Sequence, residues 1–373
     1  PAVMPDGLTW ETATTTDVGL DFGMLNNRLQ FNGDYYIRKT TDMYTVGETL
    51  PDVFGASSPK GNYADMTTKG WEITLTWRDQ FTLAEKPFNY EIRGTLSDYI
   101  STIDRYNNQT GNLDDYYAGK RVGEIWGYET DRLFQYEDCY QDADGKWFID
   151  TNKVPSQALY ETGAFKYGPG DVKYKDLDGN GEITYGEQTL EDHGDLKRIG
   201  NTLPNFEYGF SVALTYKDFD FSTFFQGIGS RDVWAVGQTG IPGFMPGEGW
   251  LEHQMDYWTP ENTDAFYPTP TSHSWINNGQ NFLRQTRYLQ NMSYLRCKNI
   301  TLGYTVPEKW MKVITFTSGR IYVSAENLFE FDHTNIPVDP ETTEKAAASN
   351  GEYKFGKSYP FMRSISFGVQ LTF

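Results

Sequence analysis

The sequence contains few of the residues and none of the motifs that build common catalytic centres. Its 4 histidines, among 373 residues, fall in no H-E-x-x-H or other metal-ligand spacing. There is no G-x-S-x-G elbow, P-loop or dinucleotide-binding fingerprint. Acidic residues are numerous, but no pair stands out as a glycosidase couple. We therefore expect no catalytic residue, no organic cofactor site and no enzymatic activity.

Cysteine and positive charge are also scarce. Cys139 and Cys297, the 2 cysteines, lie far apart in sequence and cannot define a disulfide framework, so we expect buried free thiols. The formal net charge of −19 excludes nucleic acid as a natural partner and favours cation binding.

Long hydrophobic runs are absent. No segment approaches the roughly 18 consecutive apolar residues that indicate a transmembrane helix. The first residues, PAVMPDGLTW, have neither a basic nor an apolar signal-peptide region, so we expect any export signal to lie upstream of this chain.

What the sequence does contain is apolar residues at every second position. In RSISFGVQLTF, Arg363 to Phe373, this alternation continues unbroken to the final aromatic residue. A strand with one apolar and one polar face suits a membrane β-barrel, in which lipid contacts one face and the lumen the other. The alternative for this segment alone is the edge strand of an ordinary β-sandwich.

Nine segments show this pattern, and the connections between them are alternately short and long. The predicted strands are about 17–24, 29–38, 71–77, 88–97, 206–216, 219–227, 294–306, 321–328 and 363–373. A phase slip between Leu295 and Ile300 predicts a β-bulge. The sequence therefore predicts an all-β fold, a transmembrane antiparallel β-barrel whose long loops are extracellular. These loops cover about 41–68, 104–205, 230–290 and 329–361. Because single-chain bacterial barrels usually have an even number of strands, we expect a part of a larger barrel.

One segment matches a calcium-binding loop. DLDGNGEITYGE, residues 176–187, fits the pattern D-x-[DN]-x-[DN]-G-x5-E. The predicted ligands are the side chains of Asp176, Asp178, Asn180 and Glu187, the carbonyl of Glu182, and Thr184 directly or through water. The flanking segments lack helical periodicity, so we expect a structural Ca²⁺ in an extracellular loop rather than an EF-hand sensor. The alternative is a turn that binds no metal.

The insertion from Ser230 to Gln290 is rich in large side chains with no helical or strand periodicity. They are Trp234, Phe244, Met245, Trp250, Tyr257, Trp258, Phe266, Tyr267 and Trp275. Two interpretations are open: a ligand or partner surface made of aromatic rings, or the small core that a large loop builds for itself.

Several segments resemble the SusC-type (SusC/RagA) TonB-dependent outer-membrane transporters of Bacteroidetes. The matching segments are LTWETATTTDVGLDFGMLNNRLQFNGDYYIRKTTDM (8–43), DLDGNGEIT with IGNTLPNFEYGFSVALTY (199–216), YWTPENTDAFYP (257–268), SYLRCKNITLGYTVP (293–307) and IYVSAENLF (321–329). Cys297 departs from that family, in which an apolar residue is more typical at this place.

The resemblance implies a 22-stranded barrel of which residues 1–373 supply about the last nine strands. It implies that the N-terminal plug, the segment that TonB pulls and the remaining strands lie outside this chain. The implied partners are a SusD-like lipoprotein, outer-membrane lipid, and an oligosaccharide or peptide cargo whose binding residues are unknown. On this interpretation Glu72, Thr74, Arg93 and Gln370 face the lumen, while Trp71, Trp77, Phe210 and Phe373 face lipid or its interface with water. The alternative function is a secreted, calcium-stabilised β-rich adhesin or carbohydrate-binding module.

Overall fold

The computed structural model describes residues 7–47, 58–163, 165–244, 248–270, 280–341 and 355–373. In chain order the strands are β1 (Thr12–Met24), β2 (Leu29–Val46), β3 (Lys60–Leu83), β4 (Lys86–Arg105), β5 (Glu124–Tyr128), β6 (Thr130–Leu133), β7 (Cys139–Gln141), β8 (Trp147–Ile149), β9 (Val172–Tyr174), β10 (Leu196–Asn201), β11 (Asn205–Tyr216), β12 (Phe219–Ser230), β13 (Asp232–Trp234), β14 (Leu289–Asn291), β15 (Tyr294–Val306), β16 (Ser318–Glu326), β17 (Glu330–Asp332) and β18 (Ser364–Thr372).

Helical structure in this part of the chain is limited to short turns. The α-helix α1 spans Glu308–Met311, and 3₁₀ turns span Tyr136–Asp138, Ala158–Tyr160, Glu252–Gln254, Gln280–Phe282 and Lys312–Ile314. None of the described helices has the length and apolar character required to cross a membrane.

The main sheet consists of nine long strands in the order β1-β2-β3-β4-β11-β12-β15-β16-β18, and short β17 pairs with β15 outside this path. All neighbouring pairs are antiparallel. Each of the nine predicted strands is present, so the all-β antiparallel prediction is confirmed. Within the described residues, β1 and β18 form the two edges of the sheet.

Three of the four connections at one end of the sheet are tight turns, as the alternation predicted, and the fourth, residues 307–317, contains a short helix. The Asn26-Asn27 turn between β1 and β2 has left-handed backbone angles at both residues, with φ of 59° and 62°. Two-residue turns join β3 to β4 at Ala84-Glu85, and β11 to β12 at 217–218. The connections at the opposite end are 47–59, 106–204, 231–293 and 327–363. Short and long connections therefore lie at opposite ends of the sheet.

Several strands continue beyond their predicted limits. β2 and β3 pair as far as Val46 and Lys60, inside the loop predicted at about 41–68. β3 and β4 have 24 and 20 residues, about twice the 9–11 that suffice to cross a bilayer. The residues beyond the predicted limits are mostly polar. Their backbone hydrogen bonds continue the sheet although the alternation of apolar residues has ended. A search for alternation could not detect this continuation.

The predicted β-bulge is confirmed in β15. Phe225 pairs with Cys297 while its neighbour Phe224 pairs with Asn299, which leaves Lys298 as the extra residue. The bulge restores the alternation, because it places both Cys297 and Ile300 on the face that carries Phe225. Cys297 is buried there as a free thiol, as Cys139 is elsewhere, so the expectation of buried free thiols is confirmed.

The strand register separates the sheet into one apolar and one polar face. Directly paired residues in an antiparallel sheet point to the same side. One apolar row crosses all nine long strands: Met24, Leu29, Trp77, Ile92, Val212, Thr223, Ile300, Ala325 and Ile365. The adjacent row on the other side reads Gly23, Gln30, Thr76, Arg93, Ser211, Phe224, Asn299, Glu326 and Ser364.

The residues that the sequence predicted to point to the lumen or to lipid lie on the polar face and the apolar face, respectively. Glu72, Thr74, Arg93 and Gln370 lie on the polar face, and Trp71, Trp77 and Phe210 lie on the apolar face. Phe373 follows β18 in the same phase and is exposed. Many side chains of the apolar face, including Val18, Leu75 and Phe367, are exposed although they are hydrophobic. A continuous exposed apolar band of this kind indicates a surface that contacts lipid or another protein.

We predict that a new charge will prevent assembly on the apolar face and be tolerated on the polar face at neighbouring positions of β3. Leu75→Arg should prevent assembly, because an arginine on a lipid-facing site near mid-membrane costs about 2–4 kcal/mol. Thr74→Arg, which projects from the polar face, should assemble normally. The readout is the amount of heat-modifiable, protease-resistant protein in the outer membrane. Equal assembly of both variants would contradict a lipid-facing role for the apolar face.

Candidate functional site

The long connections 106–204 and 231–293 fold together at one end of the sheet into a unit that we call the loop body. Small antiparallel pairs organise it: β5 with β10, β6 with β9, β7 with β8, and β13 with β14. The two connections meet directly where Tyr128 and Gln285 form a parallel bridge and Tyr167 Oη donates to the Gln280 carbonyl (3.2 Å). The loop body is therefore one packed structure built from two separate insertions.

The aromatic residues of the second insertion mostly serve the core of the loop body. Phe244, Trp258 and Tyr267 are buried in a cluster with residues of the first insertion, and Trp234, Trp250, Tyr257 and Phe266 pack against it. Of the two interpretations, the structure thus favours a core over an exposed aromatic surface for these residues. Met245 and Trp275 lie outside the described residues.

Asp171 is a buried carboxylate at the junction of the two insertions. It accepts hydrogen bonds from Asn281 Nδ2 (2.7 Å) and from the Gly168 N–H (2.9 Å), and the Val172 N–H donates to Asn281 Oδ1 (2.8 Å). Burial raises the pKa of the Asp171 carboxyl and outweighs the two hydrogen bonds from Asn281 and Gly168, which act to lower it. The resulting pKa is about 6. The junction therefore contains a group whose charge changes in mildly acidic conditions.

The acidic loop that begins at Asp176 is held in a tight conformation by hydrogen bonds between its own side chains and backbone. The N–H groups of Gly179 and Gly181 donate to the two carboxylate oxygens of Asp176, at 2.6 and 2.8 Å. The Asn180 N–H donates to Asp178 Oδ1 (2.9 Å). Gly181 has a φ of 86°, a conformation that glycine adopts without strain. The backbone therefore positions the side-chain oxygens of residues 176, 178 and 180 along one short loop.

Two contacts attach this acidic loop to the loop body. Ile183 is buried in the aromatic core, and its N–H donates to the Ser156 carbonyl (2.8 Å). The Ser156 N–H in turn donates to the Gly181 carbonyl (2.8 Å). These two hydrogen bonds join the second half of the acidic loop to Ser156, and the Glu182 carbonyl takes part in neither of them.

The third carboxylate beside Asp176 and Asp178 is Asp195. Ligand oxygens of these three residues lie within 4.8 Å of one another. Asp195 is completely buried, and its two oxygens accept hydrogen bonds from the N–H groups of Leu177 (2.7 Å) and Thr184 (2.8 Å). Since each carboxylate oxygen has two lone pairs, both oxygens can also coordinate a cation.

Other residues of the predicted ligand set have different surroundings. Glu187 is exposed, is not one of the three grouped carboxylates, and donates its N–H to the Asp192 carbonyl (3.1 Å). Thr184 is half-buried and is held through its backbone by Asp195. Sequence reasoning missed Asp195 because it lies eight residues beyond the 12-residue motif.

The donor set suits a hard divalent cation. Three carboxylates within 4.8 Å repel one another in the absence of a positive charge, and no Lys or Arg forms an ion pair with them among the described salt bridges. Calcium prefers six to eight oxygen ligands, and carboxylate, amide and carbonyl oxygens are available here. Metal binding itself stays a prediction.

A buried arginine links the polar face of the sheet to the last long connection. Arg296 in β15 contacts Asp339 (2.8 Å), Glu330 (2.8 Å) and Glu341 (3.3 Å). Although burial acts to raise the pKa of Asp339, the hydrogen bonds from Arg296 and from backbone N–H groups lower it overall. The cluster holds the described beginning of this connection against the polar face. Sequence analysis did not detect it, because the carboxylates lie 34 to 45 residues from Arg296 along the chain.

Comparison with known proteins identifies the same architecture. Residues 1–181 match the family model "TonB dependent receptor-like, beta-barrel". The chain is 28% identical over 99% of its length to TonB-dependent receptor P3 of Formosa agariphila, and 24% identical over its whole length to TonB-dependent receptor SusC of Bacteroides thetaiotaomicron. It spans 35% and 33% of those two proteins, about a third of each.

Solved structures show the same fold. The chain superposes on one described as the RagAB peptide transporter with a TM-score of 0.66 and 19% identity, covering 98% of this chain and 35% of that one. A second, the RagAB peptide importer in the "open-open" state, gives a TM-score of 0.65 and 20% identity.

We predict that Asp171→Asn will reduce the dependence of loop-body stability on pH. The folded state binds a proton more tightly than the unfolded state, whose carboxyl has the ordinary pKa of 3.8. The contribution of Asp171 to stability is therefore fully present below about pH 4 and falls as the pH rises to about 6, by about 3 kcal/mol. Limited proteolysis of the loop body between pH 4 and 7 measures this. The exposed variant Asp144→Asn is the control, and an unchanged pH profile in Asp171→Asn would contradict the prediction.

Proposed function

Because the chain belongs to the β-barrel family of SusC-type TonB-dependent receptors, we propose that it forms part of an outer-membrane importer for oligosaccharides or peptides. The observation that carries this proposal is the register of the nine long strands, which gives one mainly apolar face and one mainly polar face across the whole sheet. A barrel wall needs this arrangement, since lipid contacts the outside and water or cargo the inside. The family consists of transporters and receptors rather than enzymes.

The two sheet edges need partners if the sheet is a barrel wall. In hydrocarbon, each unpaired backbone polar group costs several kcal/mol, so β1 and β18 must pair with further strands. We propose that this chain supplies the last nine strands of a 22-stranded barrel. The remaining strands, the plug and the segment that TonB pulls would belong to parts of the protein outside this chain, and the plug would contact the polar face.

The loop body gives the sheet an orientation. Outer-membrane barrels have short periplasmic turns and long extracellular loops, so we propose that the loop body lies at the cell surface. We infer that the loop body contacts a SusD-like lipoprotein there, because SusC-type proteins work together with such a lipoprotein. Cargo would pass between the loop body, the polar face and the plug. The polar face carries carboxylates and arginines, which suit glycan hydroxyls and peptide groups equally.

We also propose that the acidic loop binds one structural Ca²⁺ in the loop body. Asp176, Asp178 and Asn180 would provide side-chain oxygens and Glu182 its carbonyl. We propose that Asp195 takes the place that the sequence motif assigns to Glu187, because Asp195 is buried beside the other two carboxylates. The ion would remove the repulsion among them and stiffen the contact between the acidic loop and the aromatic core.

The importer proposal is tested by purification from outer membranes in detergent, with every co-purifying polypeptide identified by mass. We expect a plug-containing barrel partner or segment together with a surface lipoprotein. The mock purification from cells lacking the tagged chain is the control. A chain found alone in the soluble fraction, stable without detergent, would instead favour a secreted calcium-stabilised adhesin or carbohydrate-binding module.

The calcium proposal predicts that Ca²⁺ stabilises the folded protein. Two matched variants distinguish which carboxylate, Asp195 or Glu187, this stabilisation requires. If the Kd is about 10⁻⁴ M, a value found in extracellular calcium modules, 10 mM Ca²⁺ should stabilise the folded state by about 2.7 kcal/mol. Asp195→Asn should abolish this gain, whereas Glu187→Gln should retain it. Thermal unfolding with Ca²⁺, with Mg²⁺ and with chelator measures the effect, and the chelator condition reports any folding defect of each variant.

Two results would change the calcium proposal. Loss of the gain in Glu187→Gln but not in Asp195→Asn would restore the ligand set that the motif predicts. Absence of any Ca²⁺ effect on the unmodified protein would leave the acidic loop as a turn held by hydrogen bonds alone.

A further inference from the structure

The connection between β15 and β16 differs from the other connections at the short-turn end of the sheet. The others among the described residues are tight turns, whereas residues 307–317 contain α1 followed by the 3₁₀ turn Lys312–Ile314. We call residues 308–314, EKWMKVI, the turn helix. A tight turn would join these two strands equally well, so the extra residues need another explanation.

The turn helix exposes three large apolar side chains on one side. Trp310, Val313 and Ile314 are 58%, 81% and 53% exposed. Their spacing of i, i+3 and i+4 places them on a single helical face. Such exposure of adjacent apolar residues is unfavourable in water and indicates a surface that something covers.

The charged residues of the turn helix lie away from this apolar face. Glu308 and Lys312, four residues apart, form an exposed ion pair of 2.6 Å. At 100° per residue, both lie roughly opposite the centre of the Trp310, Val313 and Ile314 face, and Lys309 lies between the two sides. The turn helix is therefore amphipathic, with two lysines on or beside its polar side.

The remaining apolar residue, Met311, shows on which side of the sheet the turn helix lies. Met311 is buried, and a Cβ placed on Gly319 would lie 2.7 Å from its Sδ and Cε atoms and 3.3 Å from Leu371 Cδ2. Gly319 pairs with Val306 and with Leu371, whose side chains lie on the apolar face. A side chain at position 319 would therefore project from the apolar face as well. Met311 therefore packs against the apolar face of the sheet and not against the polar face.

The apolar surface continues from the sheet to the turn helix. Ile321, Val369 and Leu371 are exposed on the neighbouring rows, and Phe219 and Tyr304 lie beside them in ring contact (4.8 Å between centroids). Outer-membrane barrels carry aromatic girdles at this level, where the bilayer meets water. The exposed face of the turn helix thus extends a surface that we have already assigned to lipid.

We propose that the turn helix is an interfacial membrane anchor at the short-turn end of the barrel wall. Trp310, Val313 and Ile314 insert at the boundary between headgroups and acyl chains, as in amphipathic helices that lie in the membrane plane. Lys309 and Lys312 contact anionic headgroups, an attraction that favours this orientation. The occupant is the lipid bilayer itself, and the anchor fixes the depth of the β15–β16 hairpin.

A pair of variants that each gain one exposed cysteine tests this proposal, because both native cysteines are buried. Val313→Cys and Glu308→Cys lie on opposite sides of the turn helix at exposed positions, so both should fold; the ion pair lost in Glu308→Cys is exposed and contributes little. Each variant, purified from membranes with its co-purifying polypeptides, is labelled with a thiol-reactive nitrobenzoxadiazole dye. The protein is reconstituted in vesicles of phosphatidylethanolamine and phosphatidylglycerol, and the unmodified protein is the labelling blank.

We expect the dye at position 313 to emit at shorter wavelength, to be quenched by a nitroxide attached near the lipid headgroup, and to be protected several-fold from aqueous iodide. The dye at position 308 should show the opposite behaviour. Equal iodide quenching at both positions would overturn the proposal. Protection at position 313 without quenching by the lipid nitroxide would also overturn it, since a protein surface would then cover the turn helix. These outcomes are independent of the Leu75→Arg and co-purification results, which test the barrel itself.

Discussion

The feature on which the rest of this structure depends is the antiparallel backbone ladder that joins the nine long strands. Each hydrogen-bonded pair places its two side chains on the same side, so the alternation of one strand is transmitted to the next. A shift of one residue in a single pair would move every apolar side chain beyond it to the polar face. The bulge at Lys298 shows how strict this condition is, since one extra residue restores the phase that the local sequence loses.

The same ladder explains why the loop body can be large. Because the strands are antiparallel and their turns are tight at one end, all long connections emerge at the other end and can pack together. The two insertions of the loop body, 106–204 and 231–293, do so through shared aromatic core residues and through buried polar contacts such as that between Asp171 and Asn281. The acidic loop is attached to this core by Ile183 and Asp195, so an ion bound there would act on the packing between insertions.

The two ends of the sheet are held by different physical means. At the loop-body end, the buried Arg296 forms ion pairs with carboxylates of the last long connection. At the short-turn end, the turn helix is held by an apolar packing contact, in which Met311 fills the space beside Gly319. The ion pairs lie on the polar face, while the apolar contact lies on the face that we assign to lipid.

Local patterns in the sequence determined the nine strands, their tight turns, the bulge, the two faces and the acidic loop, because period-two alternation and a 12-residue motif are properties of neighbouring residues. Tertiary structure alone decided which carboxylate joins Asp176 and Asp178, which insertions share a core, and where Arg296 finds its partners. Those contacts join residues that are distant in sequence, and no local pattern encodes them. The full lengths of β2 and β3 also required the structure, since their polar ends are held by backbone pairing with a neighbouring strand and not by any alternation of their own.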